Sequence, residues 1–239
     1  MTLERLTSRA FAGAIFSLLS LVPNPLVRLM PVAFAQDHDI SQWETPGGIP
    51  AAQVVWQHVG RIYLNPNTGK AVYVGYVVHI NGIDSSLFNG SPSEATAYFT
   101  FTSDVLQLTP LPNNGDVALD LVSAGTFSVY YNTSPNGDWS NPATFSGGKL
   151  IATFSRKESL FPQFGPIGFH NLSETLESSR SFTFEGQTYD FNRMTPHGIT
   201  FAQFLSTSPL TGTTDYPVAF AVVGTTMAVG GSLSALGPK

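Results

Sequence analysis

From Gln53 onward, apolar residues fall in short alternating runs separated by clusters of turn formers. "VVWQHVGRIYL" (54–64) and "AVYVGYVVHI" (71–80) flank the turn-rich "NPNTGK" and predict a hairpin. "ATAYFTFTSDVLQL" (95–108) alternates with Phe99 and Phe101 on one face, as a half-buried strand does. "GTFSVYYN" (125–132) and "GGKLIATFSR" (147–156) read as two further strands. In "RSFTFEGQTYDFNR" (180–193), Phe182 and Phe184 precede a Glu185-Gly186 turn, with Tyr189 and Phe191 after it, each pair spaced by two. "YPVAFAVVGTTMAVGG" (216–231) reads as one long or two short buried strands.

Two stretches carry helical spacing instead. In "NLSETLESS" (171–179), Ser173 is placed to cap, with Glu174 and Glu177 near the positive end. In "TFAQFLS" (200–206), Phe201, Phe204 and Leu205 recur at i, i+3 and i+4. The pattern predicts an all-β fold: a single β-sandwich or β-barrel of roughly ten antiparallel strands, with one or two short helices at most. A division near residues 157–170 is the alternative.

The first 35 residues break this pattern and predict a cleaved signal peptide. Arg5 and Arg9 precede the apolar "AFAGAIFSLLSLV" (10–22), and "PVAFA" ends in the small-x-small sequence Ala33-Phe34-Ala35. Pro23, Pro25 and Pro31 would break a core helix there. Residues 36–50 then read as a flexible arm, and residues 51–239 as one all-β domain, in a protein exported to the periplasm or the extracellular space.

Charge and composition narrow the chemistry. The signal holds Arg5, Arg9 and Arg28 against Glu4, leaving 8 of the 11 basic and 15 of the 16 acidic residues, a net charge of −7 with His neutral. That surface repels phosphate backbones and argues against nucleic acid as a partner. The absence of cysteine removes thiol catalysis and thiolate metal sites, and leaves burial alone to hold the fold. The apolar tail is interrupted by Gly224, Thr225 and Thr226, so no membrane span is expected after signal removal.

The candidate site lies in "VYYNTSPNGDWSNPATF" (129–145), a polar stretch between two strands. Asn136-Gly137 marks a turn, so a long hairpin loop accounts for it structurally. As a binding loop it offers Trp139, Tyr130 and Tyr131 as stacking faces for the C–H surfaces of a sugar. Asn132, Asp138 and Asn141 would hydrogen-bond its hydroxyls. A second candidate is the new amino terminus, Gln36-Asp37-His38, whose amine, amides and imidazole could wrap Cu²⁺ or Ni²⁺ in a square plane. Cyclisation of Gln36 would destroy that amine.

The other histidines, His58, His79, His170 and His197, show no shared metal spacing, and GxSxG is missing. No cofactor is called for. The leading expectation is therefore a non-catalytic exported domain that binds carbohydrate or another surface partner. The alternative is a secreted hydrolase or small-molecule isomerase working inside a barrel, around His79, His170 or His197 near a carboxylate. A structural envelope or matrix protein is the third reading.

Overall fold

A computed structural model describes residues 48–112 and 114–230 of the chain. The predicted signal peptide and most of the predicted arm lie outside them. Of the arm, Ile49 is described: its backbone N–H donates to the Met194 carbonyl at 2.8 Å and its side chain packs on the core.

The described residues form strands β1 (Val54–Asn65), β2 (Lys70–Ile80), β3 (Phe99–Ser103), β4 (Leu106–Leu111), β5 (Ala118–Val122) and β6 (Gly125–Tyr131). After a 3₁₀ turn at Pro142–Ser146 come β7 (Lys149–Arg156), β8 (Ser159–Phe164) and β9 (Ile167–Ser179). The hairpin β10 (Phe182–Phe184) and β11 (Gln187–Tyr189) and a one-turn helix α1 (Phe191–Met194) follow. The chain ends with β12 (Ile199–Ser206), β13 (Leu210–Thr211) and β14 (Val218–Ala228). One antiparallel circuit runs β1-β14-β12-β9-β7-β6-β3-β2 and closes where β2 pairs back to β1, an eight-stranded barrel.

Three of the eight staves are bent. β3 passes into β4 across Asp104-Val105, β5 into β6 across Ser123-Ala124, and β7 into β8 across Lys157-Glu158. Beyond the bends the circuit is again complete. β2 pairs with β4, β4 with β5, β5 with β8, and β8 with β9. The barrel is thus eight strands round at both levels, and the stretch 95–108 that reads as one strand becomes two.

Arg156 holds the three bends together. Its Nη2 donates to the Asp104 carboxylate at 2.7 Å, Nη1 to the Thr126 carbonyl at 2.7 Å and Nε to the Ser123 carbonyl at 3.2 Å. The Arg156 side chain is 3% exposed and Asp104 42%, so the charge is taken inside while its counter-ion keeps contact with water. Gly125 makes room for the pair: a Cβ there would collide with both the guanidinium and the Asp104 carboxylate.

The two segments expected to be helical are strands. Along β12, Ile199, Phe201, Gln203 and Leu205 are buried, whereas Phe204 is exposed, a period of two. Residues 171–179 belong to β9, which pairs with β12 on one side and with β7 on the other. A two-turn helix has little stability of its own, so ladder partners on both sides decide the outcome.

The interior is filled in one half only. Trp56 packs edge-on against Phe154, Phe191 and Phe201 at centroid distances of 6.0, 5.6 and 6.2 Å. The β10–β11 hairpin closes that end by placing Phe182 and Phe184 against Phe99, at 5.5 and 5.2 Å. Asp190 caps α1 beneath it, accepting from the Asn192 N–H and from the hydroxyls of Ser179 and Ser181.

Removing one partner of a buried ion pair typically costs about 3–5 kcal/mol, and the wet Asp104 argues for the lower figure. Arg156→Met is therefore expected to lower the thermal midpoint by about 5–10 °C. The loss of amide protection should be centred on residues 103–106, 122–126 and 155–159 in hydrogen exchange. An unchanged midpoint would show that the bends hold without the guanidinium.

Candidate functional site

Below the aromatic half, the barrel holds a cavity of about 510 Å³. Ile62 and Leu64 of β1, Leu106 and Leu108 of β4, Val122 of β5, Phe161 of β8, Leu205 of β12 and Phe220 of β14 give it apolar walls. These positions alternate with outward-facing neighbours, so strand periodicity alone turns them inward. Exposed Pro66, Thr68, Thr109 and Pro110 also line it, so the cavity reaches solvent at the strand ends. Asp120, on the wall, accepts from the Gln163 amide at 2.8 Å. Burial raises its carboxyl above the ordinary range, and that hydrogen bond opposes the rise.

The floor is polar. A pit of about 30 Å³ shares Ile62, Leu106, Val122 and His170 with the cavity and is also lined by Tyr73, Ser103, Arg156, Glu174 and Gln203. His170 and Glu174 stand four residues apart on β9 and so face the same way, and Glu174 is the register partner of Arg156 on β7. Burial raises the Glu174 carboxyl to about 8, against the pull of Arg156 and with the repulsion of Asp104. The Tyr73 hydroxyl is pushed well up by burial and by the Glu174 charge. Neither Glu174 Oε2 nor the Tyr73 hydroxyl has a hydrogen-bond partner among the described residues.

A chain of contacts crosses the floor. Ser159 Oγ lies 2.9 Å from His170 Nε2, His170 Nδ1 lies 3.3 Å from Gln203 Nε2, and Gln203 Oε1 lies 3.4 Å from His58 Nε2. Burial holds both imidazoles neutral: His58 is lowered to about 4 despite the Gln203 hydrogen bond, and His170 to about 4 with the further repulsion of Arg156. The Ser159–His170 contact has the length of a nucleophile–base pair, but an amide rather than a carboxylate orients the imidazole. Ser159 lines neither the cavity nor the pit. The floor therefore combines the neutral His170, Gln203 and protonated Glu174 with the paired Arg156 guanidinium.

The 129–145 stretch closes a hairpin, since Tyr131 pairs with Lys149 across β6 and β7. The structure does not bring Tyr131 and Trp139 together, two of its three proposed stacking faces. Tyr131 faces inward, stacked on Phe99 at 5.2 Å beside Phe182 and Phe184. Trp139 packs on the outer wall against Phe145 at 4.7 Å and Tyr76 at 6.0 Å, with the Arg61 guanidinium 4.6 Å above its ring. Its carbonyl accepts from the Tyr63 hydroxyl at 2.6 Å. Tyr130 is half-buried on β6.

The polar members of the stretch bind one another. Asn132 donates to the Asn136 side chain and accepts from the Ser134 N–H, both at 3.0 Å. Asp138 accepts from the backbone and hydroxyl of Ser140, which holds its carboxyl below the usual range. The Asn141 carbonyl accepts from Thr144. The stretch is a strap across β1, β2 and β3, with Thr100 Oγ1 donating to the Phe145 carbonyl at 2.7 Å.

Of the histidines singled out for catalysis, His79 and His197 are exposed and only His170 is buried in the barrel. Among the described residues no group of three or more His, Cys, Asp or Glu is placed to hold a metal. Gln36, Asp37 and His38 lie outside the described residues.

The groups that sequence reasoning missed are Tyr73, Arg156 and Glu174. Glu174 reads as a helix-terminal charge, and its pairing with His170 at a spacing of four on one strand face emerges only once 167–179 is a strand. Comparisons with protein-family models, with curated proteins and with solved structures find no match to this chain. The site must therefore be interpreted from its own geometry.

These buried groups set the pH dependence of stability. Below pH 6.5 the unfolded chain protonates His58 and His170 while the folded chain resists until about pH 4, so stability falls on acidification. Glu174 acts in the opposite sense. Its folded carboxyl stays protonated to about pH 8, so stability falls as pH rises from the unfolded value of 4.5 towards 8. One group outweighs none above pH 6.5, and two outweigh one below it. A maximum near pH 6.5 is expected, with losses on the order of 1 kcal/mol per pH unit on either side. Urea unfolding of Glu174→Gln should show a flat limb between pH 6.5 and 8; a limb as steep as in the parent chain contradicts the assignment.

Proposed function

We propose that this protein is a small-molecule-binding β-barrel that holds an apolar ligand in its hollow half. The observation that carries the reading is the cavity of about 510 Å³, apolar on its walls and reaching solvent at the strand ends. Pockets that enclose a small organic molecule have volumes of roughly 300–1,000 Å³ and largely apolar linings. Eight strands give an interior just wide enough either to be packed with side chains or to hold one small ligand. Leaving such a volume unpacked costs stability, which a bound ligand restores. With a leader of the kind read in residues 1–35, the barrel would meet its ligand outside the cytoplasm and carry it through water.

The barrel interior supports this reading better than the 129–145 stretch supports a sugar. There the Tyr131 and Trp139 rings lie on opposite sides of the sheet, and the Asn132 and Asp138 side chains are engaged within the stretch itself.

Titration of the purified protein with the neutral fluorophore N-phenyl-1-naphthylamine tests the proposal. Saturable binding with Kd on the order of 10 µM is expected for a ligand of that size. Leu108→Trp, which fills the cavity, should weaken it about tenfold or more, while Trp139→Ala on the outer wall should leave it unchanged. Absence of saturable binding, or indifference to Leu108→Trp, removes the cavity as the site.

A further inference from the structure

The pit under the cavity indicates what the ligand carries at its buried end, an inference that rests on the apolar-ligand reading above. We propose that Tyr73 and Glu174 form a head-group site that hydrogen-bonds the terminal oxygen of a neutral alcohol, ketone or aldehyde whose apolar body fills the cavity.

The pit adjoins the cavity, with Ile62, Leu106, Val122 and His170 lining both. At about 30 Å³ it admits one or two non-hydrogen atoms, not a second ring or chain. Glu174 is 4% exposed and Tyr73 5%, and of the five buried side-chain polar atoms without partners among the described residues, two, Glu174 Oε2 and the Tyr73 hydroxyl, belong to residues lining this pit. A buried polar group left without a partner costs about 1–3 kcal/mol, so a ligand oxygen that satisfies both groups gains from each.

Charge selects the kind of head group. Arg156 is already neutralised by Asp104 and hydrogen-bonded to the Ser123 and Thr126 carbonyls, so it offers no unbalanced positive charge to a carboxylate. A carboxylate would give up its hydration in a pit whose one cation, Arg156, is already paired with Asp104. An ammonium would give up its hydration beside a guanidinium and a protonated carboxyl. A neutral oxygen meets neither penalty: it accepts from the Tyr73 hydroxyl and the protonated Glu174 carboxyl, and an alcohol can donate in return.

The test is competitive displacement of N-phenyl-1-naphthylamine from the full chain at pH 6.5 by a matched ten-carbon series: decane, 1-decanol, 2-decanone, decanal, decylamine and decanoate. The alcohol and the carbonyl compounds should bind about tenfold more tightly than the hydrocarbon, with the two ions weakest. Tyr73→Phe should erase most of the advantage of 2-decanone over decane without changing the affinity for decane, which controls for the fold. Equal affinities across the neutral compounds, tightest binding by decanoate or decylamine, or an unchanged ketone advantage in Tyr73→Phe would each overturn the head-group site. Each of those results leaves apolar binding standing, whereas failure of the fluorophore itself to bind removes the reading beneath it.

Discussion

One guanidinium holds the two halves of this barrel in line. Arg156 reaches the Asp104 carboxylate and the Ser123 and Thr126 carbonyls, so a single side chain ties together the places where β3 turns into β4, β5 into β6, and β7 into β8. Bends in neighbouring staves have to occur at one level, or the register between them is lost. A charge buried to 3% exposure persists only when its partners are fixed, and here backbone carbonyls supply two of the three. Gly125 has no side chain because the ion pair occupies that space.

The division of the interior follows from those bends. On one side the staves enclose aromatic rings, with Trp56 among Phe154, Phe191 and Phe201 and the β10–β11 hairpin as a lid. Burial of each such ring contributes roughly 1.5–3 kcal/mol, enough to let this half support a second half that is not packed. On the other side β4, β5 and β8 replace β3, β6 and β7, and their Leu, Val and Phe side chains line a hollow. The polar floor lies where the halves meet. Glu174, His170 and Gln203 are groups that an aromatic core would exclude, and here they line the pit beside the cavity together with the Tyr73 ring.

Much of the fold was legible because strand alternation is a local signal. The hairpins at 54–80 and 182–189, the strands at 125–131 and 149–156, and the single long strand at 218–228 follow from spacing by two and from turn residues, whereas Phe191 starts α1 rather than continuing the second hairpin and the 218–228 strand is only half-buried, with Val223 exposed. The helical reading of 171–179 and 200–206 failed for a non-local reason: Phe201 and Phe204 fit a helix face until β9 and β14 pair on either side of β12. The bend at Asp104-Val105 was invisible because those two residues do not interrupt the alternating run 95–108. The candidate site was less legible still. Trp139 in a polar stretch looks exposed in one dimension, and what covers it, Arg61, Tyr76 and Phe145, comes from distant strands as well as from the strap itself. Conversely, Arg156 and Glu174 look like surface charges until the register sets them side by side inside the barrel.

The central claim is that the interior is packed at one end and hollow at the other, and xenon reports directly on such a hollow, because it enters apolar cavities without needing a hydrogen-bond partner. Crystals of the protein pressurised with xenon should show occupancy among Leu106, Val122, Phe161, Leu205 and Phe220, and none around Trp56, Phe154 and Phe191. Xenon in the aromatic half, or a lower half closed by collapsed side chains, would contradict the account.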